Sequence, residues 1–262
     1  MNRDRPAMDR FRLDGRVAVV TGAGRGIGKA LALGLAEAGA AVAVTELPDR
    51  LPDAQQVVDA IVASGGRAIA VQLDVRDLSS IDAMVTEVVD TLGAIDILVN
   101  NAGIQIAKPA VDITEEDWDA VIDVNLKGVF FCSQRVGRWM IARKREGVII
   151  NIASQNGLVA YYNRAPYCSA KAGVINLTRV LAIEWATHGI RVNAVAPTFI
   201  RTPLGEQTLR NDEVRRDILS RIPLGRIGEP EEVVGAVIYL ASPSASLVTG
   251  ATIVVDGGWT AI

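Results

Sequence analysis

The sequence has 262 residues, of which 50% are hydrophobic and 22% are charged, as is typical of a globular protein. Its formal net charge of −3 gives no reason to expect a nucleic-acid partner or an anionic membrane surface. One histidine and two cysteines are too few for a multi-histidine metal site, a cysteine zinc site or a disulfide framework. No apolar run reaches the roughly 18 residues that a membrane span needs. We therefore expect a cytoplasmic protein without a metal site.

Residues 1–12 are polar and lack the apolar stretch of a secretory signal, so they predict a flexible arm. Beyond this arm, short apolar runs alternate with longer stretches of helical periodicity. Strands are predicted over 16–22, 40–46, 67–75, 95–103, 147–154, 190–197 and 251–258. Helices are predicted over 27–39, 49–66, 78–93, 114–144, 166–189 and 233–242, with Thr114 as an N-cap.

The predicted strands are apolar throughout instead of alternating, which indicates burial on both faces. Because helices lie between them, the pattern predicts an α/β fold, a Rossmann-type doubly wound parallel sheet with helices on both faces. No linker or internal repeat divides residues 13–262, so a single domain is expected.

A glycine-rich loop, TGAGRGIG at 21–28, joins the first strand to the first helix. Glycines let the backbone approach a pyrophosphate closely, and the helix N-terminus offers free N–H groups to its negative charge. The spacing departs from G-x-G-x-x-G because Ile27 occupies the sixth position, and a tight turn that binds nothing is the alternative. The acid that ends the second strand, Glu46, favours nucleotide binding.

Glu46 also bears on which dinucleotide binds. A carboxylate there accepts hydrogen bonds from the adenosine ribose hydroxyls and repels the extra phosphate of NADP. Arg25 in the glycine loop favours the opposite choice, since it is placed to reach that phosphate. The repulsion by Glu46 is direct, so the sequence predicts NAD rather than NADP.

The stretch YCSAK places Lys171 one helical turn after Tyr167. A nearby ammonium favours the phenolate, so the pair predicts a tyrosine that exchanges protons with a substrate. Ser154 ends the fifth strand, at the sheet edge where open α/β sheets bind ligands, and is placed to hydrogen-bond a substrate oxygen. The alternative is a half-buried tyrosine beside a lysine with a buried stem. Asn125, inside a predicted helix, is either a site residue or an ordinary polar residue.

Seven segments occur in the order and spacing of the short-chain dehydrogenase/reductase family: TGAGRGIG, LDV, NNAG, VNLKG, NIAS, YCSAK and RVNAVAP. The chain resembles this family from about Leu13 to its end. The resemblance implies a catalytic tetrad of Asn125, Ser154, Tyr167 and Lys171. In such enzymes Tyr167 exchanges the proton with the substrate oxygen, and Ser154 holds that oxygen. Lys171 lowers the pKa of the tyrosine and binds the nicotinamide ribose, while Asn125 supports a water-mediated proton path.

The resemblance also implies where the cofactor lies. The pair 74–75 borders the adenine, residues 101–103 lie beside the adenosine ribose, and the segment after the sixth strand meets the carboxamide and phosphates. The implied cofactor-binding residues are Gly22, Arg25, Gly26, Ile27, Gly28, Glu46, Asp74, Val75, Asn101, Ala102, Gly103, Tyr167, Lys171, Pro197, Ile200 and Thr202. The family often has Pro-Gly after the sixth strand, whereas this chain has Pro197-Thr198. This difference affects the backbone path that is expected after the sixth strand, but not the activity that is expected of the protein.

The stretch 198–232 interrupts the alternation of strands and helices and is predicted to form a mobile substrate flap, with Leu209, Val214 and Ile218 as its apolar side. A surface excursion for subunit contact is the alternative. Candidate substrate residues are Gln105, Ser154, Gln155, Asn156, Tyr161, Asn163 and Arg201. Unpaired buried amides are costly, so amides in a pocket suit a substrate with several hydroxyls.

These features predict an NAD(P)-dependent oxidoreductase that interconverts a secondary alcohol and a ketone, on a polyol, sugar or sugar acid with NAD. The stretch NNAGIQ also resembles gluconate and sugar-alcohol dehydrogenases of the family. The rival is a 3-oxoacyl-thioester reductase, which expects NADPH and a basic patch for its carrier. A non-catalytic dinucleotide-binding subunit is a third interpretation. The resemblance further implies a homotetramer through the helices that hold Asn125 and Tyr167.

Overall fold

The computed structural model describes residues 6–261 apart from the side chain of Gln207, so the first five residues of the predicted arm lie outside it. The sheet has seven parallel strands in the order β3-β2-β1-β4-β5-β6-β7. They are β1 Val17–Val20, β2 Ala41–Glu46, β3 Ala68–Gln72, β4 Ile97–Asn100, β5 Gly147–Ile152, β6 Ile190–Pro197 and β7 Thr252–Val255. All seven coincide with predicted strands.

The helices lie between the strands and on both faces of the sheet. They are α1 Gly26–Glu37, α2 Leu51–Ala63, α3 Leu78–Leu92, α4 Glu115–Ile122, α5 Val129–Ala142, α6 Ala165–Trp185, α7 Pro203–Leu209, α8 Asp212–Ser220 and α9 Glu231–Ala241. Among the described residues, none of the helices has the length and apolar character to span a bilayer. In the predicted arm, a short 3₁₀ turn at Met8–Phe11 places the Phe11 ring 6.3 Å from the ring of Tyr239.

Alternate residues of the strands β1 to β6 enter different cores, which explains why these strands are largely apolar, whereas Val254 of the edge strand β7 is exposed. In β1, Ala18 and Val20 pack with α1, α2 and α9 on one face. Val17 and Val19 pack with α3, α5 and α6 on the other face. The predicted Rossmann-type doubly wound fold, with a single domain, is therefore confirmed.

The strand order reverses beside β1, which pairs with β2 on one side and with β4 on the other. At such a reversal the loops after the two central strands diverge and leave a crevice at the carboxyl ends of the strands. The glycine loop after β1 and the NNAG turn after β4 both lie at this crevice. The fold therefore predicts the ligand site there.

The helix predicted over 114–144 differs from a continuous α-helix at one place. Its start is confirmed, because Thr114 forms a capping box with Asp117. Between α4 and α5, however, the backbone forms a π-helical turn at Asp123–Gly128. Such turns break the i to i−4 hydrogen-bond pattern and are frequent at functional sites. The turn contains Asn125, which explains how an asparagine is accommodated at this point of a long helix.

The segment predicted to be a flap contains the helices α7 and α8. The two helices enclose a small core in which Phe199 and Ile218 pack against Trp259. Leu209 and Val214 pack on the same cluster, so the predicted apolar side is confirmed. The mobility of the segment stays a prediction.

Candidate active site

The four predicted tetrad residues lie together at the carboxyl ends of the strands. Lys171 Nζ on α6 lies 5.7 Å from the centre of the Tyr167 ring. It also donates a hydrogen bond of 2.8 Å to the carbonyl of Ile152, two residues before Ser154. Asn125 approaches from the π-helical turn, since a Cβ on Gly103 would lie 3.4 Å from Asn125 Oδ1 and 3.8 Å from Lys171 Nζ.

Both amide atoms of Asn125 are used to hold the backbone after β4. Its Nδ2 donates to the carbonyl of Ile104 at 2.8 Å, and its Oδ1 accepts from the N–H of Ile104 at 2.9 Å. Asn125 is fully buried. The π-helical turn therefore positions the loop that forms one wall of the site.

Burial dominates the electrostatics of the pair on α6. Burial raises the pKa of Tyr167, while a hydrogen bond from Ser154 and the positive charge of Arg164 act in the opposite direction. Burial also lowers the pKa of Lys171 to about 8. The pKa of Tyr167 is therefore raised and not lowered as the Tyr-Lys spacing predicts, because burial disfavours the phenolate.

A buried polar network fixes the elements that carry the tetrad. Asn100 of β4 donates to Ser133 of α5 at 2.9 Å and to Asn151 of β5 at 2.8 Å. Asn151 in turn donates to Thr178 of α6 at 2.9 Å. All four side chains are at most 2% exposed. The network thus ties β5 and α6, which bring Ser154 and the Tyr-Lys pair, to the adjacent strand and helix.

A cleft of about 380 Å³ runs from the glycine loop to the tetrad. All the predicted cofactor residues except Ile200 line it: Gly22, Arg25, Gly26, Ile27, Gly28, Glu46, Asp74, Val75, Asn101, Ala102, Gly103, Tyr167, Lys171, Pro197 and Thr202. Ile200 instead lines an adjoining chamber, because its side chain is buried over Gly228.

The glycine loop has the shape that a pyrophosphate requires. A Cβ on Gly28 would lie 2.3 Å from the carbonyl of Gly22, so only glycine allows this approach of α1 to the loop. Asn101 Nδ2 locks the loop by donating to the carbonyls of Thr21 and Gly22, each at 2.9 Å. No side chain caps α1 at Arg25, so the first N–H groups of the helix stay available to an anion. These residues fit a dinucleotide.

Charges of both signs lie at the far end of the cleft. Glu46 is buried, and its two carboxylate oxygens accept from the N–H groups of Gly24 and Leu47, each at 3.2 Å. Arg25 and Arg50 line the same end of the cleft. The motifs do not mark Arg50, which belongs to the 3₁₀ turn Pro48–Arg50 directly after β2. The carboxylate is therefore held in place, but it is not the sole charge that a bound dinucleotide would meet.

Two further spaces adjoin the tetrad. An inner chamber of about 90 Å³ is lined by Ser154 and Tyr167, and an outer groove of about 600 Å³ opens beyond it. The predicted substrate residues Gln105, Ser154, Gln155 and Asn156 line the inner chamber, and Gln105, Tyr161 and Asn163 line the outer groove. Arg201 lies outside both spaces, because its guanidinium pairs with Glu229 at 2.9 Å on the surface. The structure thus does not bring Arg201 to the other candidates.

Several polar atoms of the inner chamber are buried without a hydrogen-bond partner among the described residues. They are both amide atoms of Gln155, Oδ1 of Asn156 and Oγ1 of Thr198. Buried polar groups are nearly always paired, so unpaired ones need an explanation. Because other protein atoms cover these four atoms, a ligand would reach them only after those neighbours move.

Arg164 also lines the inner chamber and the outer groove, yet no motif marks it. It precedes α6 and donates hydrogen bonds to Gln105 Oε1 and, at 3.1 Å, to Thr208 Oγ1. A signal is present in the sequence, since this arginine stands only three residues before Tyr167. Its burial could not be read from the sequence, because it depends on contacts with the distant α7.

Comparisons with known proteins agree with this geometry. The sequence profile of a family described as enoyl-(acyl carrier protein) reductase matches residues 22–260. Galactitol 2-dehydrogenase of Rhizobium johnstonii is 49% identical to this chain, over 96% of the chain and 97% of that protein. A 3-oxoacyl-[acyl-carrier-protein] reductase of Synechocystis sp. is 47% identical, over 94% of the chain and 97% of that protein.

A solved structure is similar over the whole fold. The gluconate 5-dehydrogenase of Burkholderia cenocepacia, in complex with NADP and tartrate, superposes with a TM-score of 0.93 at 42% identity. The match covers 98% of this chain and 100% of that one. With the motifs, the crevice and the clustered tetrad, these likenesses establish that the chain belongs to the short-chain dehydrogenase/reductase family and is an NAD(P)-dependent oxidoreductase that acts on CH–OH groups.

Proposed function

We propose that the protein interconverts a secondary alcohol and a ketone on a polyol, sugar or sugar acid, with NAD as its cofactor. The observation that carries this proposal is the inner chamber, which Ser154 and Tyr167 line together with the polar residues Gln155 and Asn156. Relatives named for galactitol and gluconate support the same substrate class.

The residues of the tetrad divide the chemistry between them. Oxidation of the alcohol removes a proton from its oxygen, and Tyr167, once it has released its own proton and is a phenolate, is placed to accept that proton while Ser154 hydrogen-bonds the same oxygen. Lys171 lies beside the ring of Tyr167 and is predicted to hold the cofactor ribose. Asn125 positions the loop beside them. A nicotinamide dinucleotide, when bound, supplies the acceptor for the hydride.

The function is tested by mixing the purified protein with NAD or NADP and a panel of alditols, sugars and aldonates, and separately with NADH or NADPH and a 3-oxoacyl thioester. Reduced nicotinamide is followed by its absorbance, as a gain with the first three classes and a loss with the thioester. We expect turnover of at least one polyhydroxylated substrate. Turnover of the thioester alone would support the rival, and cofactor binding without turnover across the panel would support a non-catalytic subunit.

The rival 3-oxoacyl-thioester reductase is favoured by the Synechocystis relative. The outer groove offers no basic patch for a carrier, because Glu213 and Asp217 lie opposite Arg164, the one cation among the described residues that line it. Asp217 is in turn paired with Arg221 at 3.0 Å. The proposal of a polyhydroxylated substrate therefore stands ahead of the thioester.

The choice of NAD rests on Glu46, and the charge itself is what needs testing. In Glu46→Gln the side chain keeps its size and an acceptor oxygen but loses the charge that repels a 2′-phosphate. We expect the ratio of kcat/KM for NADP to that for NAD to rise roughly 10-fold, which corresponds to about 1.4 kcal/mol of lost repulsion. Glu37→Gln, at the end of α1, is the control. An unchanged ratio in Glu46→Gln would assign the selection to the arginines of the cleft.

We infer a homotetramer assembled through the helices that carry the tetrad. On α6, Ile183 is 78% exposed and Val180 is 41% exposed, which leaves an apolar surface on the isolated chain. Sedimentation analysis in solution is expected to give about four times the chain mass of 27.8 kDa. The cytoplasmic location stays a prediction from the sequence.

A further inference from the structure

Arg164 is a buried cation without a buried counter-charge. The residue is only 5% exposed. Its guanidinium donates hydrogen bonds to two uncharged groups, the amide oxygen of Gln105 and the hydroxyl of Thr208. Within residues 6–261, no carboxylate forms an ion pair with it. Buried charges in proteins are almost always paired, so this one is prepared for an anion that the protein itself does not provide.

Two aromatic rings hold the guanidinium in place. Its central carbon lies 4.9 Å from the centre of the Phe199 ring and 5.4 Å from that of Tyr161. Aromatic contacts of this kind favour the charged group and restrict its orientation. The two hydrogen bonds leave further N–H donors of the planar guanidinium free, and such donors match a carboxylate in geometry.

The position of Arg164 relates it directly to the chemistry. It lines the inner chamber together with Ser154 and Tyr167, and burial lowers its pKa while Tyr167 acts in the opposite direction. The same chamber is lined by the polar residues Gln105, Gln155 and Thr198. A molecule that satisfies this whole lining carries one negative charge and several hydroxyl groups.

We propose that Arg164 binds the carboxylate of a polyhydroxy acid and that the substrate is therefore a sugar acid rather than a neutral polyol or sugar. This inference rests on the proposed function and narrows it. A phosphorylated sugar fits less well, because Arg164 is the one cation among the described residues that line the inner chamber and a phosphate carries close to two negative charges.

The test compares each acid with the alditol of the same carbon chain. Four proteins are assayed: wild type, Arg164→Met, Arg164→Lys and the control Arg201→Met. The two pairs of compounds are D-gluconate with D-glucitol and D-galactonate with galactitol. We expect Arg164→Met to lower kcat/KM for the acids by roughly 10- to 100-fold, mainly through KM, because a hydrogen bond to a charged group is lost. The alditols should change much less, Arg164→Lys should recover part of the loss, and Arg201→Met should behave as wild type.

Equal losses for acids and alditols in Arg164→Met would overturn the proposal and leave Arg164 a packing residue. The proposal would also be overturned if the wild type preferred the alditols to the acids, or D-gluconate 6-phosphate to D-gluconate. If the wild type turns over none of these compounds and no member of the wider panel of alditols, sugars and aldonates, the proposed function has failed, and a binding measurement then decides the role of Arg164 separately. Saturating D-gluconate should raise the Tm of the wild type and not that of Arg164→Met, as measured by thermal unfolding. Equal shifts of Tm in both proteins would also overturn the proposal for Arg164.

Discussion

At the scale of single residues, the proposed proton transfer depends on one hydroxyl group, that of Tyr167. In Tyr167→Phe the ring and its packing remain while the proton acceptor is lost. We expect kcat to fall by about 10²- to 10⁴-fold, the usual contribution of a general acid or base. Dinucleotide binding, measured by fluorescence titration, should change little.

A matched variant separates this effect from the loss of any tyrosine hydroxyl. Tyr239 lies on α9 near Phe11 and lines neither the cleft, nor the inner chamber, nor the outer groove. Tyr239→Phe should therefore retain the activity of the wild type. Near-normal turnover by Tyr167→Phe would assign proton exchange to another group and remove the basis of the tetrad.

At the scale of helices and strands, the hydrophobic pattern of the sequence predicts much of the fold. Every predicted strand is present, because β-strands that are buried on both faces must be apolar throughout. The same pattern could not predict α7 and α8, whose small core depends on Trp259 from the end of the chain. Nor could it predict the π-helical turn at 123–128, since an extra residue in one turn leaves no periodic signal.

The network that ties these elements together gives a prediction at the same scale. Asn151→Leu would leave Asn100 and Thr178 without one of their buried partners. We expect a loss of about 1–3 kcal/mol in the free energy of unfolding. We also expect a lower kcat well below the unfolding temperature, because β5 and α6 would no longer hold Ser154 and the Tyr-Lys pair in one arrangement. Urea unfolding and initial rates measure the two effects.

Asn193 on the neighbouring strand provides the comparison. It is equally buried, but it bonds to the backbone of Val248 and Ala251 instead of to the tetrad elements. Asn193→Leu should destabilise the protein to a similar extent and leave kcat unchanged. A parallel fall of kcat in both variants would mean that general loosening, and not positioning, accounts for the result with Asn151.

At the scale of the whole molecule, the site divides into a part that sequence motifs predict and a part that they do not. Most motif residues of the tetrad and the cofactor cleft are adjacent in the structure because their motifs end a strand or begin a helix at the same edge of the sheet, whereas Asn125 reaches it from the π-helical turn. Arg164 becomes a site residue only through contacts with a segment that is distant in the sequence, the helix α7. The sequence therefore predicts the chemistry better than the specificity.

The burial of Lys171 also has a consequence for the stability of the whole molecule. Its pKa of about 8 lies below the ordinary value of 10.5, so between these values the unfolded chain binds more protons than the folded one. Below about pH 8 the folded protein bears the full cost of a buried charge, and this cost is relieved as the pH rises towards 10.5. Stability attributed to Lys171 therefore increases with pH in this window.

A difference measurement isolates this contribution. The free energies of unfolding of wild type and Lys171→Met are compared by urea titration from about pH 7 to pH 10. We expect the free energy of unfolding of the wild type to rise by on the order of 2 kcal/mol relative to that of the variant over this pH range, since one pKa unit corresponds to about 1.4 kcal/mol. Effects of other groups cancel in the difference, and Lys29→Met, at an exposed lysine of α1, should show no such trend. A difference that stays constant with pH would mean that Lys171 keeps its charge in the folded protein, as a permanently cationic partner of Tyr167 would.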